Sequence, residues 1–380
     1  MKVLYDCQAF LRTKYGGVPR YFCELIQHHN LENIYPIVPC GYCRNEDYRN
    51  LYFSKRKPVN WHLRDFIVDT TYNHLHVSPA KYLSGVKRLS ISQIKKGNFD
   101  IFHPTSFDSY FLEYIGKKPY ILTIHDLTYD IYPESFPIST DVRANMRLLA
   151  SNAARIIAIS ESTKNDLVKY YDVDPNCIDI VYHGSLFERY TIPPSSPLDE
   201  SSKKYLLYVG ERGLYKNFYH FVNAIHPILQ EDLCELVCAG GGKFSGDEMK
   251  FFNSLGILHK VRQEFVSNEK LISLYQHAVA FVYPSLNEGF GLPTLEAFSC
   301  GCPVICSNTS CFPEVGGNAA IYFEPKSAQS IRKAVYRVLN DDKLRNKMIS
   351  EGYMQLKNFS WNKCAEETKN VYLKVLNEMK

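Results

Sequence analysis

The chain has 380 residues, enough for two α/β domains with separate cores. Its 44 basic and 40 acidic residues leave a net charge of +4, too balanced for a dedicated nucleic-acid binder. Twelve cysteines with no secretion signal read as reduced buried thiols; the opening MKVLYDCQAF turns polar too early for a leader, and no apolar run reaches transmembrane length. A cytoplasmic protein with at most peripheral membrane contact is expected.

Residues 1–10 predict a parallel strand and RYFCELIQHH a helix, joined through Tyr15-Gly16-Gly17-Val18-Pro19. Strand, glycine pair and helix form an anion-site geometry, though two glycines equally make an ordinary tight turn. Residues 34–40 predict a second strand. Residues 41–98 lack clean periodicity, with parts open to a helical reading, and carry Lys55-Arg56-Lys57, Lys87-Arg88 and Lys95-Lys96. These clusters suit either an acceptor or anionic-membrane surface or a solvated face. FDIFHPTS (99–106) and YILTIHDLTYD (120–130) return to strand patterning. The second ends at His125-Asp126, where an open α/β sheet presents ligands; such a pair is also a common local cap. RANMRLLASNAA then reads as a helix, RIIAIS as a strand, and ESTKNDLVKYY as a helix capped by Ser160.

The stretch from Tyr190 to Lys203, YTIPPSSPLDESSK, is rich in Pro and Ser and has no periodicity, so the domain boundary is placed there. Residues 1–189 form the first domain and 204–360 the second. The second opens with KYLLYVGERGLYKNF, a strand and a loop holding Arg212 and Lys216. Two cations beside a strand-end glycine suit a diphosphate, Arg as a bidentate fork and Lys as a point charge. A surface loop with two unpaired cations is the plain alternative. GGGKFSG is not a phosphate-binding Walker loop, because no Ser or Thr follows Lys243.

The most informative stretch runs from Tyr283 to Pro325, YPSLNEGFGLPTLEAFSCGCPVICSNTSCFPEVGGNAAIYFEP. A buried strand stops at Pro284, a loop with Gly289 and Gly291 follows, and TLEAFSCG reads as a helix with Pro293 at its start and Glu296 in its first turn. Free N–H groups and the helix dipole there favour an anion. Glu288 and Glu296 frame the site. A carboxylate there serves vicinal hydroxyls of a ribose or hexose; singly, each is equally a dipole-complementing or solvated residue. Cys300, Cys302 and Cys306 straddle the helix end and a buried strand and read as core filling rather than metal ligands.

EGFGLPTLEA followed by GCPVICSN and PEVGGNAA closely resembles the signature of the family 4 glycosyltransferases of GT-B fold. The resemblance implies two Rossmann-like doubly wound domains facing across a cleft, with residues 361–380 crossing back as a helix. It implies that Glu288 holds hydroxyls of the transferred hexose and Glu296 the ribose diol. The backbone of Gly289, Phe290, Gly291 and Leu292 would meet hexose and diphosphate. Gly16 and Gly17 would lie by the diphosphate, and Val266 by the nucleobase. His125, in TIHDL, would face the donor sugar.

YVG-x-R-x-x-YKNF is similar to the O-antigen-type mannosyltransferases, which implies GDP-mannose as donor, with UDP-glucose or UDP-N-acetylglucosamine as alternatives. Members of the family retain anomeric configuration, so no nucleophile is assigned; Asp126 and Glu288 are the carboxylates considered for a secondary role. Arg212 and Lys216 would stabilise the leaving diphosphate without a metal ion, and no cofactor is expected. The acceptor would be a glycan, glycolipid or glycoprotein, and a homodimer is compatible with this reading. A nucleotide-sugar epimerase and a non-catalytic sugar-nucleotide-binding module stay open. A nicotinamide oxidoreductase would need G-x-G-x-x-G after the first strand, and YGGVPRY is not that.

Overall fold

The computed structural model describes residues 1–14, 16–29, 33–40, 43–52, 79–136, 140–185, 187–188, 203–265 and 267–379. Most of the expected domain boundary, the Lys55-Arg56-Lys57 cluster and Val266 lie outside the described residues.

The described strands fall into two parallel arrays. In the first half, β1 (Lys2–Tyr5) lies between β2 (Tyr35–Ile37) and β3 (Ile101–His103). Next come β4 (Ile121–Ile124), β5 (Arg155–Ala158) and β6 (Ile178–Ile180), joined to the first three by a parallel bridge between Phe102 and Tyr120. In the second half, β7 (Tyr205–Val209), β8 (Glu235–Ala239), β9 (Val261–Glu264), β10 (Ala280–Tyr283), β11 (Val304–Ser307) and β12 (Ala320–Phe323) stand in the order β9-β8-β7-β10-β11-β12. The chain winds outward from β7, returns, and continues from β10 on the other side. That reversal opens a crevice at the carboxyl ends of β7 and β10, and the first half has its counterpart between β1 and β3.

Strand periodicity builds a core on each face of each array. Val3 and Tyr5 point to one face and Leu4 to the other. Tyr205 and Leu207 likewise oppose Leu206 and Tyr208. The twelve cysteines are all free, and Cys300, Cys302 and Cys306 are buried among apolar side chains. The β3 strand is shorter than FDIFHPTS promises, because Pro104 cannot donate a ladder hydrogen bond. Within 41–98 two helices are described, Glu46–Tyr52 and Pro79–Lys96. Lys87 on the latter pairs with Asp108, and Lys95 sits over the Tyr114 ring.

The final helix, Trp361–Glu378, packs into the first-half core through Trp361, Cys364, Val371 and Tyr372. Its entry explains Gly184: a Cβ there would meet the Trp361 nitrogen at 2.4 Å. Trp361 Nε1 donates to the Ser185 carbonyl at 3.0 Å. Among the described residues no helix is long and apolar enough to cross a membrane.

Candidate active site

The loop after β10 and the Leu292–Ser299 helix define the site. Gly291 takes a left-handed φ of 75°, which turns the chain into the helix, and Pro293 fits the first turn. Because the helix begins at Leu292, Glu296 falls in its second turn, not its first as the sequence suggested. Glu296 is only 6% exposed and accepts a hydrogen bond from Tyr275 Oη at 3.0 Å. Burial pushes its pKa up to about 6, against the smaller opposing pull of Tyr275 and of the Arg20 charge.

Glu288 and Lys216 come from loops after β10 and β7, the two strands at the reversal. They form an ion pair at 2.7 Å with side chains 13% and 16% exposed. Burial works against the Lys216 charge, but Glu288 and Tyr215 more than offset it and hold the ammonium above its ordinary pKa. The two loops are stitched by the Leu286 N–H donating to the Tyr215 carbonyl at 2.8 Å. Ser310 fixes the backbone of Glu288 from both sides: its Oγ accepts the Glu288 N–H at 3.0 Å and donates to the Glu288 carbonyl at 2.8 Å. Ser310 does so with φ 52°, unusual for a residue with a Cβ.

Arg212, the cation expected beside Lys216 on the diphosphate, is held by protein partners. Its guanidinium pairs with Glu248, the two side chains being 6% and 7% exposed. It also donates to the carbonyls of Gly240, Gly241, Gly242 and Lys243 at 3.1–3.3 Å. The three glycines have φ of 81°, 67° and 73°, a left-handed run that wraps these carbonyls around the guanidinium. GGGK is therefore a cradle for Arg212, and Glu248 is also the N3 residue of the Ser245 capping box. Neither cation of the YVG-x-R-x-x-YK stretch is unpaired.

His125 and Asp126 follow β4 in the first half and meet the glycine loop of the second. A Cβ on Gly289 would stand 1.8 Å from the His125 carbonyl oxygen, so only glycine permits this approach. The Gly289 carbonyl accepts from Ser160 Oγ at 2.7 Å, and Phe290 is buried against His183. Burial lowers the His125 pKa to about 4, partly offset by Asp126, so the ring is neutral near pH 7. Its Nε2 has no hydrogen-bond partner among the described residues. Asp126 Oδ1 accepts the Thr128 N–H at 2.8 Å, which is the local cap the sequence left open. Gly16 precedes the Gly17–His28 helix, and a Cβ on Gly17 would touch Leu292 Cδ1 at 4.0 Å. The starts of the two helices thus face each other.

Sequence reasoning missed Ser310, Tyr275, Arg20 as a charge on Glu296, and Glu314. The Glu314 carboxylate accepts the Glu161 N–H at 2.7 Å and the Ser162 N–H at 3.4 Å, capping a first-half helix from the second half. Glu314 and Arg20 carried a signal, since they belong to the PEVGG motif and the YGGVPRY turn.

Two doubly wound halves sharing a cleft between strand ends make this a GT-B glycosyltransferase fold. The family described as glycosyltransferase family 4 matches residues 15–185, and that described as glycosyl transferases group 1 matches residues 192–355. The O-antigen chain mannosyltransferase B of Escherichia coli is 29% identical over 66% of this chain and 69% of its own. The O-antigen chain mannosyltransferase RfbU of Salmonella typhimurium is 27% identical over 57% of this chain and 60% of its own. Anabaena HepE, solved in complex with UDP and glucose, matches with a TM-score of 0.71 at 14% identity, over 98% of this chain and 100% of its own. The chain belongs to the family 4 glycosyltransferases.

Proposed function

We propose that the chain moves mannose from GDP-mannose to a hydroxyl of a glycan, glycolipid or glycoprotein acceptor, with retained configuration and no metal ion. The observation that carries this reading is the buried Lys216–Glu288 ion pair beside the loop that leads into the Leu292–Ser299 helix, with the buried Glu296 in that helix's second turn. The donor diphosphate would take Lys216 from its partner and accept hydrogen bonds from N–H groups at that helix start. Glu288, released, would accept hexose hydroxyls, while Glu296, which accepts from Tyr275 Oη, would also accept the ribose diol. Neutral His125 would face the hexose as the resemblance implies; its Nε2 is buried with no hydrogen-bond partner among the described residues.

In the reaction the bond between the anomeric carbon and the diphosphate oxygen breaks, its electron pair staying on the diphosphate. The acceptor oxygen bonds to the same face of that carbon, and its proton passes to the departing phosphate oxygen. Lys216 and the helix dipole stabilise the growing negative charge, the function a divalent ion would otherwise perform. Arg212 acts through the loop it braces and is a positioning residue.

Mannose rests on the YVGERGLYKNF likeness and on the O-antigen mannosyltransferases among the relatives. A calorimetric competition among GDP-mannose, GDP-glucose, UDP-glucose and UDP-N-acetylglucosamine tests it, with and without EDTA. GDP-mannose should bind tightest, and EDTA should change nothing. A UDP-sugar in first place would replace the donor, and loss of binding in EDTA would overturn the metal-free mechanism.

A further inference from the structure

A buried chain of hydrogen bonds runs through the first half, and the proposed transfer uses none of its members. Tyr372 of the final helix is fully buried, and its Oη sits between Tyr5 Oη at 2.7 Å and His103 Nδ1 at 2.6 Å. The other ring nitrogen of His103 meets Thr123 Oγ1 at 2.8 Å, and Thr123 Oγ1 meets Tyr21 Oη at 3.2 Å. At the far end Tyr5 Oη also bonds His29 Nε2. These side chains come from β1, β3, β4, the Gly17–His28 helix with its cap His29, and the final helix, and none is more than 3% exposed.

The chain is ordered as well as buried. Burial lowers the His103 pKa to about 3, with smaller contributions from His29 and His125, so this ring is neutral near pH 7. A neutral imidazole donates from one nitrogen and accepts at the other. With each bridging hydroxyl giving its one hydrogen inside the chain, the donors through Tyr372, His103 and Thr123 all run the same way. Removing one hydroxyl leaves buried partners unsatisfied and frees the groups beyond it to turn.

One end of the chain lies against the active site. The Tyr21 ring meets the His125 ring edge-on, with centroids 5.1 Å apart at 83°, and lies 4.7 Å from the His183 ring. His183 in turn stacks on Trp361, the first residue of the final helix, at 5.6 Å and stands 5.7 Å from His125. The final helix therefore reaches the surroundings of His125 at two points, through Tyr372 and through Trp361. Thr123 and His125 also line a first-half cavity of about 480 Å³. Because His125 Nε2 has no hydrogen-bond partner among the described residues, the angle of its ring depends on the packing of Tyr21, Phe22 and His183.

Resting on the glycosyltransferase reading above, we propose that the final helix sets the angle of the His125 ring, with Tyr372, His103, Thr123 and Tyr21 as positioning residues for transfer. A docked helix locks the ring towards the donor sugar. A disturbed chain frees the ring while leaving the diphosphate contacts of Lys216 untouched.

The test uses the full chain with Tyr372→Phe, which removes only the bridging hydroxyl, and Thr123→Val, which cuts the chain at its other junction. Thr123→Ser keeps that hydroxyl, and Val375→Ala loosens the same helix without touching the chain. GDP release from GDP-mannose with methyl α-mannoside as acceptor probe, calorimetric GDP affinity and the His125 imidazole NMR resonances are read for each. Tyr372→Phe and Thr123→Val should each lower kcat on the order of tenfold, leave GDP affinity unchanged and shift the His125 resonances. Thr123→Ser should restore what Thr123→Val loses, and Val375→Ala should lose stability alone. Unchanged kcat in either broken-chain variant, an equal fall in Val375→Ala, or His125 resonances that stay in place would overturn the proposal. An unaltered protein that releases no GDP would instead contradict the function proposed above, and the His125 resonances would then decide the positioning alone.

Discussion

Glu296, with its pKa pushed up to about 6 from an ordinary value of 4.5, works against the fold that buries it. Its contribution is fully present below pH 4.5, where both folded and unfolded chains are protonated, and is lost as pH rises through about 6. Above that window the ionised carboxylate costs on the order of 2 kcal/mol. Glu296→Gln should therefore be the more stable protein near pH 7.5 and roughly equal near pH 5, by urea denaturation. A Gln variant less stable near neutral pH would contradict the burial account. Donor affinity should fall as pH drops from about 7 to about 5, because the protonated carboxyl accepts hydroxyls poorly. Ser310 allows a cleaner separation of fold from site. Glycine suits its left-handed φ, so Ser310→Gly should change stability by no more than about 1 kcal/mol. Without the hydroxyl, the Glu288 backbone is unclamped, and transfer should fall about tenfold with GDP affinity intact. Parallel loss of stability and GDP binding would assign Ser310 to the fold alone. Both glutamates were legible in the sequence because glycines and a helix-start proline surround them. Ser310 was not, since a serine in a loop says nothing of its φ.

Elements were legible where their signals were local. Strand, glycine loop and helix after β10 follow from Pro284, Gly291 and Pro293, and the alternation of strand and helix implies parallel sheets. What the chain order concealed were partners distant in sequence. Arg212 and Glu248 are 36 positions apart, and nothing in the YVG-x-R stretch names a carboxylate on another helix. The glycine run, read only as a failed phosphate loop, supplies the carbonyls that complete the brace. Removing Arg212 leaves Glu248 buried without its charge partner, a loss of about 3–5 kcal/mol. Arg212→Ala should lower stability by that order, and Arg212→Lys should restore little, since an ammonium cannot span the same acceptors. Unchanged stability with donor binding abolished would return Arg212 to the diphosphate, as the sequence alone suggested.

At the scale of the molecule, the family signature conveyed the GT-B architecture, because its motifs sit at the strand ends that define both sheets. The contacts between halves needed coordinates. Ser160 to Gly289, Thr128 to Asn287 at 3.2 Å and the Glu314 cap each join residues more than a hundred positions apart. They hold the donor loop against His125 and so set the distance between donor site and first-half cavity. Glu314→Ala combined with Ser160→Ala should widen the relation of the halves, seen as a larger radius of gyration in solution scattering. On the proposed reading GDP rests mainly on Lys216 and Glu296 of the second half, so its binding should change little while transfer declines. An unchanged radius with unchanged turnover would show these contacts to be incidental to closure.

The central claim is that Glu288 grips the hexose and Glu296 the ribose, on either side of a diphosphate drawn to Lys216. Calorimetric titration of GDP and GDP-mannose into the unaltered protein, Glu288→Ala and Glu296→Ala tests it most directly. Glu296→Ala should weaken both ligands alike, by roughly ten- to hundredfold, the worth of a charge-assisted hydrogen bond. Glu288→Ala should leave GDP as tight or tighter, because Lys216 loses its competitor, while the extra affinity of GDP-mannose over GDP disappears. Two variants that behave identically towards GDP, or a Glu288→Ala protein that loses GDP and keeps its preference for the sugar, would contradict the account.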